Sequence, residues 1–345
     1  MMIKSTRILY KRFYLKHLNV TSRYLTNTNS IPIIDLTNSY ENETYRQKLA
    51  KQIDEICQNI GFFIITGHLM DEKIQNDMMN ISKEFFLLPL SIKQEITGSK
   101  DYPYGYNGLN DENLSRGYDK SSSSYLLSDL KESFSIGPEH EGKIRWPSKP
   151  FNMSSIWLNY YKQCHNLSKH LYKLFALALN LDQYWFHNKI TEHRSALRSL
   201  YYPSFSSPLP QNQYRSSVHT DYGAFTILKQ DSIGGLQVQN RLDDKWIDVP
   251  FIENSFVINL GDLMSRWTND HWVSTPHRVL SPSNKTNDGL YPCRQSIAFF
   301  CQINPNEIVK CIPTCYSIDK PSKYPPIKSW DLIMQKYLAS TKKNY

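Results

Sequence analysis

No run in this sequence is long and apolar enough to cross a bilayer. The best short run, Gly61-Phe-Phe-Ile-Ile-Thr-Gly67, falls far below the roughly 18 residues a membrane helix needs, so no membrane partner is expected. Cysteine is scarce, with six in 345 residues, at positions 57, 164, 293, 301, 311 and 315. Scattered cysteines without a secretory leader argue against a disulfide framework. Cys311 and Cys315 also lack the second Cys or His pair that a structural zinc site takes. Free thiols suit an intracellular, reducing compartment. No internal repeat is found.

Acidic residues are absent from residues 1–30, where Lys4, Arg7, Lys11, Arg12, Lys16 and Arg23 stand among Ser, Thr, Leu and Tyr. Removing those six from the 40 basic residues leaves 34 against 32 acidic ones, a balance of +2 out of the total of +8. The body is nearly neutral, so no nucleic-acid partner is expected. The basic leader reads as a mitochondrial-type transit peptide, the alternative being a solvated tail. Location is therefore expected to be mitochondrial or cytoplasmic.

Hydrophobic residues make up 40% of the chain and charged residues 21%, a globular composition. A short strand at 31–36 opens the folded part. Tyr45, Leu49, Ile53, Ile56 and Ile60 recur at spacings of three and four, which predicts a helix over 41–60. A strand at 62–66 and a helix over 71–87, stopped near Pro89, follow. Residues 98–128 are polar, glycine-containing and rich in tyrosine, the pattern of a long functional loop. Helical spacing returns over 151–182. From about 195 short β-runs separated by turns predict a sandwich or barrel, and a helix is expected at 328–340. The regions expected are a leader (1–30), an N-terminal region (31–150), a helical connector (151–194), a β-rich core (195–305) and a tail with a helix (306–345). The fold class is mainly β with flanking helices.

Two constellations carry chemistry. On a strand, residues two apart face the same side, so His219 and Asp221 are expected to project together. His277, on a later β-run, supplies a third donor if the sheet folds back. Two imidazoles and one carboxylate leave open positions on an octahedral ion, the arrangement of non-haem Fe(II) oxygenases. Arg294 and Ser296 repeat the two-residue spacing on the next β-run. An arginine fork with a hydroxyl beside it suits a carboxylate ligand.

The motifs that bracket these residues resemble one family throughout. They are Ile31-Pro-Ile-Ile-Asp-Leu36, Gly61-Phe-Phe-Ile-Ile-Thr-Gly-His68, Tyr201-Tyr-Pro203, His219-Thr-Asp-Tyr-Gly223, Gly234-Gly-Leu-Gln-Val238, Asn259-Leu-Gly-Asp262, His277-Arg-Val279 and Arg294-Gln-Ser296. In this order, over residues 31–305, they resemble the isopenicillin N synthase-type 2-oxoglutarate/Fe(II)-dependent dioxygenases. The resemblance implies a double-stranded β-helix, or jelly-roll, core with a helical N-terminal region. It implies Fe(II) held by His219, Asp221 and His277, and 2-oxoglutarate held by Arg294, Ser296 and Tyr202, with O2 as the second cosubstrate. Leu200 departs from the family, standing where an asparagine is common.

The implied activity is oxidation of a small organic molecule, most often hydroxylation, coupled to decarboxylation of 2-oxoglutarate. A 2-oxoglutarate-independent Fe(II) oxidase remains an alternative, since some relatives turn the Arg-x-Ser pair to the substrate's own carboxylate. A non-catalytic binding module of the same fold is the third reading. Tyr106, Tyr118 and Phe134 are expected as walls of the substrate pocket. Oligomeric state is left open.

Overall fold

The computed structural model describes residues 30–99, 102–109, 111, 112, 114, 127–210 and 213–340. Residues from Ile31 onward form one compact unit. Its centre is an eight-stranded sheet built from β1 (Ile33–Asp35), β2 (Phe62–Thr66), β3 (Gly105–Asn107), β4 (Glu132–Ile136), β5 (Ala196–Tyr202), β7 (Phe225–Gln230), β10 (Phe256–Leu260) and β12 (Arg294–Cys301). The spatial order is β1-β2-β10-β7-β12-β5-β4-β3. A second sheet holds β6 (Ser216–His219), β8 (Leu236–Gln239), β9 (Trp246–Asp248) and β11 (His277–Val279), in the order β6-β11-β8-β9. This pair of sheets matches the double-stranded β-helix, with helices flanking it.

The chain passes repeatedly between the sheets, so the large sheet is covered on both faces. β2 shows the consequence in sequence. Phe63 and Ile65 join a core shared with the helices, while Phe62 and Ile64 join Tyr202, Leu236, Val238, Val257 and Val279 in a second core with residues of the small sheet. A strand buried on both faces reads as a continuous apolar run rather than an alternation. Each such side chain contributes roughly 1.5–3 kcal/mol when removed from water.

The helical layer consists of α1 (Glu43–Asn59), α2 (Glu72–Phe86), the short α3 (Leu90–Gln94) and α4 (Met153–Ala178). Local chemistry fixes their ends. The Asn42 side chain accepts from the Tyr45 amide at 2.8 Å and Asp71 from the Lys73 amide at 2.7 Å, each satisfying an orphan helix donor. Gly61 stops the α1 segment at φ +63°, where a Cβ would sit 2.2 Å from the Val273 carbonyl oxygen. Two further helices, α5 (Asp262–Trp267) and α6 (Ser329–Ser340), complete the described chain, with α6 preceded by the two-residue ribbon of β13 (Ile308–Val309) and β14 (Ile327–Lys328).

The N-terminal region does more than pack against the core. β1 and β2 form one end of the large sheet, and β3 and β4 the other. β3 and β4 depart from the sequence reading, which marked no strand at either place. Glu132-Ser-Phe-Ser-Ile136 is half polar, yet every residue is buried. The buried carboxylate is satisfied internally: Glu132 receives the Lys93 ammonium at 2.5 Å and the Tyr106 hydroxyl at 2.6 Å. Phe134 on the same strand is fully buried against Phe85, Trp146 and Trp157. Phe134→Ala is expected to cost about 3–5 kcal/mol through the cavity it leaves. Urea unfolding followed by circular dichroism checks this, and a loss below about 1 kcal/mol contradicts the packing assignment.

Candidate active site

Sheet register assembles the first three residues. β6 and β11 are antiparallel neighbours, with His219 directly opposite His277, so their ring centres lie 4.2 Å apart. β6 ends at His219, so Asp221 stands in the loop that follows rather than on the strand. Even so, one donor atom from each of His219, Asp221 and His277 lies within 4.8 Å of the others. Asp221 Oδ1 is 3.9 Å from His219 Nε2 and 3.8 Å from His277 Nε2.

Hydrogen bonds outside the triad decide which atoms face inward. His219 Nδ1 donates to the Ser217 carbonyl at 2.7 Å, and His277 Nδ1 to the Thr275 carbonyl at 3.2 Å. A carbonyl only accepts, so each Nδ1 carries the proton and each Nε2 keeps a lone pair for a metal. Burial pushes the His219 imidazole down to about 3, with His277 adding to the effect. Neutral imidazole is the form that ligates. Asp221 Oδ2 accepts from Thr226 Oγ1 at 2.5 Å and Asn259 Nδ2 at 2.7 Å. Burial raises the Asp221 carboxyl, but the two imidazoles and these two donors outweigh it and hold the group below the ordinary aspartate range. Two imidazole nitrogens and one carboxylate oxygen, converging, with Asp221 and His277 buried and His219 half-buried, fit Fe(II) with open positions to spare.

The Asp221 loop is fixed by close backbone contact. The first amides of α5 donate into it, Asp262 N to the Asp221 carbonyl at 2.8 Å and Leu263 N to the Gly223 carbonyl at 3.1 Å. A Cβ on Gly261 would lie 2.3 Å from the Gly223 carbonyl oxygen, so only glycine permits this approach. The strand before His219 is held by Asp129, whose Oδ1 receives the Ser217 amide at 2.9 Å and hydroxyl at 2.6 Å. Sequence reasoning missed Thr226, Asn259 and Asp129 as supports. Asn259 lay in the quoted Asn-Leu-Gly-Asp motif without an assigned task, whereas nothing marked Asp129.

A cavity of about 200 Å³ opens beside the triad. Arg294, Ser296, Tyr202 and the three triad residues all line it. Arg294 is 1% exposed. Among the described residues its guanidinium reaches only neutral oxygens: the Gly234 carbonyl at 2.8 Å, Ser296 Oγ at 3.1 Å and Gln230 Oε1 at 3.4 Å. It also stands 5.0 Å from the centre of the Tyr202 ring. Leu200 lines the same cavity with an apolar side chain.

The expected substrate walls are corrected. Tyr106 and Phe134 are core residues and neither lines the cavity: Tyr106 spends its hydroxyl on Glu132, and Phe134 packs among aromatics. An aromatic in a polar stretch looked like a pocket wall because the buried strands β3 and β4 were not recognised. Tyr118 lies outside the described residues. The long loop does reach the cavity through Pro103, Tyr104, Glu112 and Leu114. Trp330, Ile333 and Met334 of α6 line it too, a part of the tail to which the sequence reading gave no site role.

Comparison with known proteins agrees with this geometry. Residues 31–159 match the family described as the non-haem dioxygenase in morphine synthesis N-terminal region, and residues 193–303 match the 2OG-Fe(II) oxygenase superfamily. A 2-oxoglutarate-Fe(II) type oxidoreductase, hxnY, of Emericella nidulans is 33% identical over 331 residues, covering 90% of each chain. The chain belongs to the 2OG-Fe(II) oxygenase superfamily. A full-length Neurospora crassa protein, solved as a crystal structure in complex with alpha-KG and thymine, is 32% identical, with a TM-score of 0.80 over 89% of this chain and 96% of that one. Homoarginine-6-hydroxylase of Arabidopsis thaliana is 30% identical over 306 residues, covering 84% of this chain and 90% of its own. This superfamily member is a 2-oxoglutarate/Fe(II)-dependent dioxygenase that oxidises, by hydroxylation, a small organic molecule. Among the described residues no helix is long and apolar enough to cross a membrane.

Because Asn259 orients the Asp221 carboxylate, Asn259→Ala is expected to weaken metal binding by about 10–100-fold while leaving the protein folded. Titration with Mn(II) under anaerobic conditions measures this. Unchanged affinity means that Thr226 alone suffices.

Proposed function

We propose that His219, Asp221 and His277 hold Fe(II), that Arg294, Ser296 and Tyr202 hold the distal carboxylate of 2-oxoglutarate, and that the substrate is a small uncharged polar molecule. The chain is further assigned to the isopenicillin N synthase-type branch, supported by the motif order across residues 31–305. When bound, Fe(II) supplies the redox chemistry that couples O2 and 2-oxoglutarate decarboxylation to oxidation of the substrate. The protein contributes position and exclusion of water. Phe62, Leu228, Leu236 and Val279 give the cavity apolar walls, and side chains of α6 line it as well.

One observation carries the substrate class. Among the described residues, the cavity-lining cations other than Arg294 already have carboxylate partners. Lys131 pairs with Asp129 at 2.8 Å, Arg198 with Glu112 at 3.1 Å and Arg194 with Glu141 at 2.6 Å. An acidic substrate would have to break one of these pairs, stranding a buried carboxylate at a cost of several kcal/mol. A neutral molecule with hydrogen-bonding edges needs no such exchange. Thymine, named in the Neurospora crassa complex, is uncharged in the same sense.

The test is succinate formation and labelled CO2 release from 2-oxoglutarate, run against matched neutral and carboxylated compounds. Neutral compounds are expected to stimulate turnover, and His219→Ala and Asp221→Ala to abolish it. Stimulation confined to carboxylated compounds overturns the substrate class. Activity surviving both substitutions overturns the metal assignment. The acid-free basic composition of residues 1–30 supports delivery to mitochondria. Fusion of that segment to a fluorescent protein is expected to give mitochondrial fluorescence, and a diffuse cytosolic signal contradicts it.

A further inference from the structure

Behind the residues assigned to 2-oxoglutarate lies a second arginine that the proposed reaction does not use. Arg215 directly precedes β6 and is 1% exposed. Its Nη2 donates to the Pro292 carbonyl, but Nε and Nη1 have no hydrogen-bond partner among the described residues. Its guanidinium carbon lies 6.0 Å from the centre of the Tyr202 ring and 5.7 Å from that of Phe205. Tyr202 is the same ring that Arg294 approaches at 5.0 Å.

Two buried guanidiniums therefore share one aromatic ring. Among the described residues the carboxylate that acts on both is Asp231, and its oxygens are occupied by the Gln295 and Ile233 amides rather than by either arginine. The uncharged groups facing Arg215 are Tyr202, Phe205, Pro292 and Cys293. Burial pushes the Arg215 guanidinium down to about 10, and Arg294 adds to the effect. A buried cation in this state is costly unless something anionic arrives. One aspartate against two arginines leaves room for one more negative charge, and a dianionic 2-oxo acid brings it into the cavity that Arg294 and Tyr202 line.

We propose that Arg215 is a second cation of the cosubstrate site, acting through Tyr202 and Arg294 on the distal carboxylate of 2-oxoglutarate and selecting a dianionic over a monoanionic 2-oxo acid. This rests on the assignment of Arg294 to that carboxylate. Arg215 touches no reacting atom and is a positioning and electrostatic residue.

The experiment uses the full chain with Mn(II), anaerobically, and measures binding of 2-oxoglutarate and of 2-oxobutyrate, which lacks the distal carboxylate, by calorimetry. Arg215→Gln is expected to weaken 2-oxoglutarate by about tenfold or more while leaving 2-oxobutyrate within about twofold. Arg215→Lys, which keeps the charge, is expected to recover most of the loss. In turnover, Arg215→Gln raises the KM for 2-oxoglutarate with little change in kcat. Without ligand it melts no lower than the parent, because an unneutralised cation has been removed, and the upshift produced by 2-oxoglutarate shrinks. Parent-like 2-oxoglutarate affinity in Arg215→Gln overturns the proposal. So does a lower melting temperature with equal loss of both ligands, the signature of packing alone. Arg294→Gln separates the layers: if it retains 2-oxoglutarate affinity, the Arg294 assignment itself fails, whereas loss there with none in Arg215→Gln sinks only the role of Arg215.

Discussion

The site depends on one carboxylate whose two oxygens do different work. Asp221 Oδ2 is occupied by Thr226 and Asn259, which leaves Oδ1 to face the two Nε2 atoms. That division requires the loop after β6 to lie against the start of α5, and the approach is possible only because residue 261 has no Cβ. The histidines are handled in the same way, each giving its Nδ1 proton to a carbonyl two residues back. The donor atoms are thus oriented by the protein's own hydrogen bonds, which reduces the entropy lost when a ligand binds.

Charge pairing sorts the cations here into two groups. Among the described residues, some lining cations are matched by carboxylates, as in Lys131 with Asp129 and Arg198 with Glu112. Among the described residues, Arg294 reaches only neutral oxygens and Arg215 has two unpartnered nitrogens. In a poorly solvated interior such an imbalance is strongly felt. On the proposed reading, the unmatched guanidiniums suit a dianionic cosubstrate and the matched pairs suit a neutral substrate.

The helices were legible because their apolar spacing and their ends agree. The expected 71–87 is Glu72–Phe86, opened by the Asp71 cap and stopped before Pro89. The strand at 62–66 was equally plain, since a sheet buried on both faces leaves an unbroken apolar run. β4 was not legible. Its burial depends on Lys93 and Tyr106, residues distant in sequence that neutralise and hydrogen-bond Glu132. A polar residue whose partner comes from another element looks like a surface residue in the linear chain, and for that reason Tyr106 and Phe134 were misread as pocket walls.

The sequence by itself named His219, Asp221, His277, Arg294 and Ser296 as candidates for a metal and a carboxylate, because motif order is a property of the linear chain. It also set the reaction class, through residues that members of this superfamily share. Tertiary structure alone decided the rest. It placed His277 opposite His219, turned Asp221 by way of Asn259, brought α6 over the cavity and set Arg215 behind Tyr202. Each of these is a contact between segments far apart in sequence, set by sheet register and close packing, and none is written in local composition.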